Sequence, residues 1–110
     1  MRQQIPTTEP QTVCEKVQDG TEITFIDVRQ PHEFEREHIE HPNANVLNVP
    51  LNQLQVNDPA QLLDDVPREN VVAVCASGNR SSVATRLLNS AGFSAENLQY
   101  GMNGWRQLAC

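Results

Sequence analysis

The 110-residue chain is predicted to fold as one α/β domain, residues 1–110, with an open and mostly parallel β-sheet and helices on both faces. Two observations predict the class. Short β-branched runs alternate along the chain with segments whose apolar residues recur at helical spacing. Strands joined through crossover helices run parallel and bury both sheet faces. A third observation bounds the size: this length suits one hydrophobic core and is too short for two.

The elements follow in order. Thr8 with Gln11 has the spacing of a capping box, and Val13, Cys14 and Val17 then share one face of a helix ending near Asp19-Gly20. Ile23 to Val28 reads as a strand. Pro31 opens a short helix through Phe34 and Arg36, since proline suits a first helical turn. Ala44 to Val49 is a second strand, stopped by Pro50. Leu51 and Leu54 mark one helical turn, and Asp58-Pro59 caps and opens a helix carrying Leu62 and Leu63. Val71 to Val74 is a buried strand. Val83, Ala84, Leu87 and Leu88 then recur at helical spacing, with Gly92 as the stop. Asn97 to Gln99 reads as a last short strand, and Met102, Trp105 and Leu108 as a terminal helix.

Composition narrows the function classes. Fourteen Asp and Glu against eight Lys and Arg leave a net charge of −6, which argues against general nucleic-acid binding. No apolar run approaches membrane-spanning length, so no membrane partner is expected. Met1 to Pro6 lacks the apolar stretch of a signal peptide, and cytoplasm is the expected compartment. Three cysteines, Cys14, Cys75 and Cys110, form an odd and widely spaced set, read as neither a disulfide framework nor a zinc pattern. Cys14 is expected in the core and Cys110 at the surface. His32, His38 and His41 crowd a segment with Glu33, Glu35, Glu37 and Glu40; with no third ligand beside His38 and His41, this reads as a solvated acidic face and no metal site is assigned.

The most informative stretch is Cys75-Ala76-Ser77-Gly78-Asn79-Arg80-Ser81. It places a cysteine at the carboxyl end of a strand, in a polar turn that feeds a helix N-terminus. Unpaired backbone N–H groups and the positive end of the helix dipole collect there and favour an anion. Thiols so placed titrate at about 3.5–7.5 and act as thiolate nucleophiles. A cysteine ending an apolar strand is also an ordinary small core residue. Against that reading, Gly78 lets successive amides turn inward, Ser77, Asn79 and Ser81 are small and polar, and Arg80 adds a permanent charge with a fork of donors. In open parallel sheets ligands bind beyond the carboxyl ends of strands, where Asp27 and Arg29 also fall. That pair either shapes the site or simply stabilises its own turn.

Together these residues resemble the rhodanese family of sulfurtransferases, from about Val13 to Trp105. Phe25-Ile26-Asp27-Val28-Arg29 is similar to the family's first strand and its Asp-x-Arg turn. Glu33-Phe34 and His38-Ile39 match the next helix and its exit, and Asn48-Val49-Pro50-Leu51 the next strand end. Cys75 through Arg80 resembles the active loop, and Gly101-Met102 with Trp105 the closing motif. Three positions depart from the pattern: Glu37 where glycine is usual, a longer Glu40-His41-Pro42-Asn43 segment, and Tyr100 where the first of two glycines is common.

The resemblance implies an enzyme of the thiosulfate sulfurtransferase type without a cofactor. Cys75 would carry sulfur as a persulfide between a small sulfur donor and a thiol, cyanide or protein acceptor. Amides of Ala76, Ser77, Gly78, Asn79 and Ser81 would bind the transferred sulfur, Arg80 would steady the loop, and Asp27 and Arg29 would support it. Phosphatases and arsenate reductases also set Cys and Arg around an anion loop, typically with five intervening residues. The four residues here, Ala76 to Asn79, favour sulfur transfer. A non-catalytic interaction module is the rival from another class; such relatives often lack the cysteine. A redox relay would need a resolving cysteine near Cys75, and the sequence places none there. With Arg80 the loop's one formal positive charge and Ala76 neutral, a neutral or singly charged donor such as a polysulfide or small persulfide is expected to outperform thiosulfate.

Overall fold

The computed structural model describes residues 4–110; Met1 to Gln3, part of the segment read for a leader, lie outside the described residues. The chain runs β1 (Thr7–Thr8), α1 (Pro10–Gln18), β2 (Ile23–Asp27), α2 (Pro31–Arg36), β3 (Ala44–Asn48), α3 (Leu51–Val56), α4 (Pro59–Leu62), β4 (Val71–Val74), α5 (Asn79–Ser90), β5 (Ala95–Leu98) and α6 (Gly101–Trp105). The five strands form one sheet in the order β1-β5-β4-β2-β3, and every pairing is parallel. The expected α/β class with a parallel sheet is therefore observed.

β4 is the central strand, and all of its residues are buried. Side chains alternate across it, which splits the core into two layers. Val71, Ala73 and Cys75 join Ile26, Leu54, Ala84, Leu88 and Phe93 on the face covered by α3, α4 and α5. Val72 and Val74 join Val13, Val17, Phe25, Leu98, Met102 and Trp105 on the face covered by α1 and α6. β2 is buried throughout, as a strand flanked by two parallel neighbours must be. Among the described residues no helix is long and apolar enough to cross a membrane.

Three sequence expectations change. Thr8 does not cap α1. It lies in β1, a two-residue edge strand absent from the sequence reading, where its carbonyl accepts the Gln99 N–H at 2.9 Å. Glu9 is the N-cap and Pro10 starts the helix. α6 ends at Trp105, so Leu108 packs on the core from the segment beyond it.

The larger correction concerns cysteine. Cys14 and Cys110, 96 residues apart, form a disulfide with a Cα–Cα distance of 6.0 Å. Cys110 is accordingly half-buried against the α1 and α6 layer, not exposed. Spacing could not show this pair, because only the return of the chain past α6 brings its end onto the apolar face of α1. Cys75 is the free cysteine.

Candidate active site

β4 delivers Cys75 to the carboxyl edge of the sheet, where it is 1% exposed. The chain then turns through Ala76 and Ser77 to Gly78, whose φ of 106° is left-handed and caps α5. Only glycine takes that backbone without strain. The turn aims the Gly78 N–H at Cys75 Sγ, 3.0 Å away, and the first turn of α5 brings the Ser81 hydroxyl to 3.2 Å. Burial pushes the Cys75 thiol up. The Ser81 hydroxyl and the amides of Ser81, Gly78 and Ser77 outweigh it, and the thiol titrates below its ordinary range. Ala76 is half-buried, while Ser77 and Asn79 are exposed at the loop's outer surface.

The underside of the loop is held by α6. The Met102 and Asn103 N–H groups donate to the carbonyls of Cys75 and Ala76 at 2.8 and 3.0 Å. A side chain at Gly101 would sit 2.8 Å from the Ala76 carbonyl carbon, so only glycine allows this approach. Tyr100, one residue earlier, keeps the left-handed backbone (φ 63°) where the family commonly has glycine. Glu37 also replaces a usual glycine, but its φ of −166° is extended and needs none.

Arg80 leaves the loop for α2. Its guanidinium donates both ends to Glu33, at 2.7 and 3.0 Å. The hydrogen bond from Arg80, with the Gln30 N–H and nearby arginine charge, lowers the Glu33 carboxyl to about 2 despite some burial. Glu33 in turn raises Arg80 above its ordinary value. Asp27 and Arg29 form a buried ion pair through hydrogen bonds of 2.8–3.2 Å, and Arg29 also donates to the Glu37 carbonyl at 2.6 Å. The pair therefore ties the end of β2 to the exit of α2, and reaches the Cys75 loop through the adjoining strand, since Asp27 is in register with Val74. His38 stacks on Phe34 and its Nδ1 meets the Phe34 carbonyl at 2.8 Å, while His41 Nδ1 accepts the Asn43 N–H. Both histidines are engaged locally.

Two residues with direct bearing on the loop escaped the sequence reading. Glu33 was read only with the acidic residues of its segment and in the family's Glu33-Phe34 motif, and nothing in the sequence pointed to Arg80, 47 residues away. Asn97 of β5 donates to the Gly78 carbonyl at 3.2 Å and accepts the Ser81 hydroxyl at 2.5 Å; no local signal marks it.

A free cysteine at the end of a central parallel strand, receiving an amide N–H and a hydroxyl in the turn that opens the next helix, defines a class of parallel α/β domains with a donor-lined cysteine loop. The chain belongs to the rhodanese-like domain family, whose pattern it matches over residues 9–108. It is 32% identical over 102 residues to the uncharacterized protein slr1261 of Synechocystis, covering 92% of this chain and 52% of that protein. The chain spans about half the length of the curated relatives it matches. Its structure is similar to the human single-domain sulfurtransferase TSTD1, with 27% identity, a TM-score of 0.71 and coverage of 97% of this chain and 100% of that one. It is also similar to part of an NAD-dependent persulfide reductase from A. fulgidus, with 31% identity, a TM-score of 0.65 and coverage of 92% of this chain and 16% of that one.

Proposed function

We propose that this chain is a sulfurtransferase that carries sulfane sulfur on Cys75, with residues 1–110 acting as one domain. The observation that carries the reading is the pair of donors on Cys75 Sγ, the Gly78 N–H and the Ser81 hydroxyl. A buried sulfur needs such donors chiefly when it bears charge. The similarity to a human sulfurtransferase and to a persulfide reductase supports the same chemistry.

With a persulfide donor R–S–SH, thiolate Sγ attacks the terminal sulfur. A Cys75 Sγ–S bond forms, the donor S–S bond breaks, and R–S⁻ leaves with the electron pair and takes the proton of the former S–H as R–SH, so the outer sulfur on Cys75 carries the negative charge. With thiosulfate the leaving group is sulfite. An acceptor thiolate or cyanide then attacks the outer sulfur, and the electron pair of the Sγ–S bond returns to Sγ. Amides of the Ala76–Ser81 turn stabilise the charge on the sulfur throughout.

The donor is a small neutral or singly charged persulfide or polysulfide in preference to thiosulfate. Among the described residues, Arg80 of the loop is neutralised by Glu33 and Arg29 beside it by Asp27. That leaves amides rather than a free cation to meet a dianion. The same engagement of Arg80 weighs against phosphatase chemistry, which uses the arginine on the oxyanion. The test is intact mass after incubation with a small persulfide, before and after reductant. A gain of one sulfur atom, mapped to Cys75 and reversed by reductant, is expected; Cys75→Ser should neither gain it nor turn over. Turnover by Cys75→Ser would sink the assignment.

A further inference from the structure

Ser81 presents one hydroxyl hydrogen to two acceptors. Its Oγ lies 3.2 Å from Cys75 Sγ and 2.5 Å from Asn97 Oδ1. Ser81 is fully buried and Asn97 nearly so. Asn97 sits on β5, in register with Ala73 of β4 and Thr7 of β1, one strand away from the cysteine. Its Nδ2 donates to the Gly78 carbonyl at 3.2 Å. A carbonyl only accepts, so the amide NH₂ must face Gly78 and the amide oxygen must face Ser81. The side chain is thus fixed in the orientation that makes it compete with the cysteine for the Ser81 hydrogen.

We propose that Asn97 is a positioning residue for the Cys75 sulfur: it holds the Ser81 hydroxyl hydrogen while Sγ is uncharged and yields it when Sγ carries negative charge. The inference rests on the sulfur-transfer reading for its catalytic meaning. In the thiolate, the hydroxyl turns to Sγ and the Asn97 oxygen goes without its donor. Once the Sγ–S bond forms, the charge resides on the outer sulfur, Sγ is neutral, and the hydroxyl rotates back to Asn97. When an acceptor removes the outer sulfur, the electron pair returns to Sγ and the hydroxyl follows it. The hydrogen stays on Ser81 throughout, and only its hydrogen bond changes partner. Such a rotor favours charge on Sγ at the step where Sγ is the leaving group, and moderates its thiolate character at rest. Among the described residues, the charged groups on the elements packed against the loop include the Arg80–Glu33 pair across α5 and α2, the Asp27–Arg29 pair at the end of β2 and the Arg106–Glu37 pair beside Asn103 of α6. Each pair is internally neutral, so the hydroxyl's choice of acceptor is set locally.

The experiment is the pH dependence of Cys75 alkylation by iodoacetamide, with the modified residue confirmed by peptide mass. It is run on the native chain, Asn97→Leu, Ser81→Ala and the double variant. Below the thiol's pKa, removing Asn97 should favour alkylation about threefold or more when Ser81 is present, relative to its effect when Ser81 is absent, the size of one competing hydrogen bond. An equal effect of Asn97→Leu in both backgrounds would leave Asn97 only a loop anchor through Gly78 and overturn the proposal. If Asn97→Leu fails to fold, the side-chain amide signals of Asn97 in the native chain decide by NMR. They should titrate with the same pKa as Cys75 and stop titrating in Cys75→Ser; signals that ignore Cys75 would refute the coupling. Neither measurement uses a sulfur donor. Absence of a persulfide would therefore defeat the proposed function and leave this result standing, and the reverse also holds.

Discussion

Glu33 sets two properties at the scale of a single residue. Its carboxyl is lowered to about 2 by Arg80, so its contribution to stability is present above its ordinary value of 4.5 and is lost as pH falls toward 2. The pair is partly exposed, which limits that contribution to about 1 kcal/mol. Acid unfolding of Glu33→Gln compared with the native chain is expected to show a smaller loss of stability between those pH values. Glu33 also cancels the one arginine of the loop. Glu33→Gln leaves Arg80 unneutralised and is expected to lower the thiosulfate KM by about three- to tenfold at low salt, with little gain for a neutral donor. Steady-state kinetics with both donors checks it; equal changes in both KM values would mean that Glu33 acts through loop shape rather than charge.

At the scale of elements, the loop is held from three sides: by α2 through Glu33, by β5 through Asn97 and by the start of α6 through the Met102 and Asn103 amides. Gly101→Ala forces a side chain against the Cys75 and Ala76 carbonyls and is expected to cost about 2–3 kcal/mol, with a larger proportional loss of sulfur transfer than of helix content. Denaturant titration and turnover measured on the same sample test this. The Cys14–Cys110 bond joins α1 to the end of the chain and closes a loop of 96 residues. In the chain-entropy picture such a crosslink stabilises by about 4–5 kcal/mol. Cys110→Ser, or reduction, should lower the melting temperature by more than about 8 °C and leave kcat near its native value. A large fall in kcat at a temperature where the variant is folded would revive the redox-relay reading. In a reducing cytoplasm, the compartment expected from the sequence, thiol reductants oppose this bond. Alkylation trapping in cells measures how much of it forms.

Across the whole molecule, a net charge of −6 repels anions, and among the described residues the arginines beside the loop, Arg80 and Arg29, are neutralised by Glu33 and Asp27. Thiosulfate kcat/KM should therefore rise with ionic strength, while that of a neutral persulfide donor should change little. Ala76→Arg should improve thiosulfate use at low salt and lose the benefit as salt screens the charge. A native preference for thiosulfate, or indifference to Ala76→Arg at low salt, would show that the loop amides alone set donor choice.

What the sequence determined by itself was everything written in short range. Short runs rich in β-branched residues marked β2, β3 and β4, the 3.6-residue period marked α5, prolines marked the starts of α2 and α4, and Gly78 marked the turn that puts amides on Cys75, because each depends on residues a few positions apart. The order of motifs carried the family for the same reason. The tertiary structure alone decided which distant groups share an environment. Asp27 and Arg29, two residues apart, were legible as a pair. Arg80 with Glu33, Ser81 with Asn97, and Cys14 with Cys110 were not, because their separations of 47, 16 and 96 residues leave no local trace. Those contacts arise only when the sheet places β2, β4 and β5 side by side and the chain end returns across α1. They determine how much charge the loop offers, and which hydrogen bonds its sulfur receives.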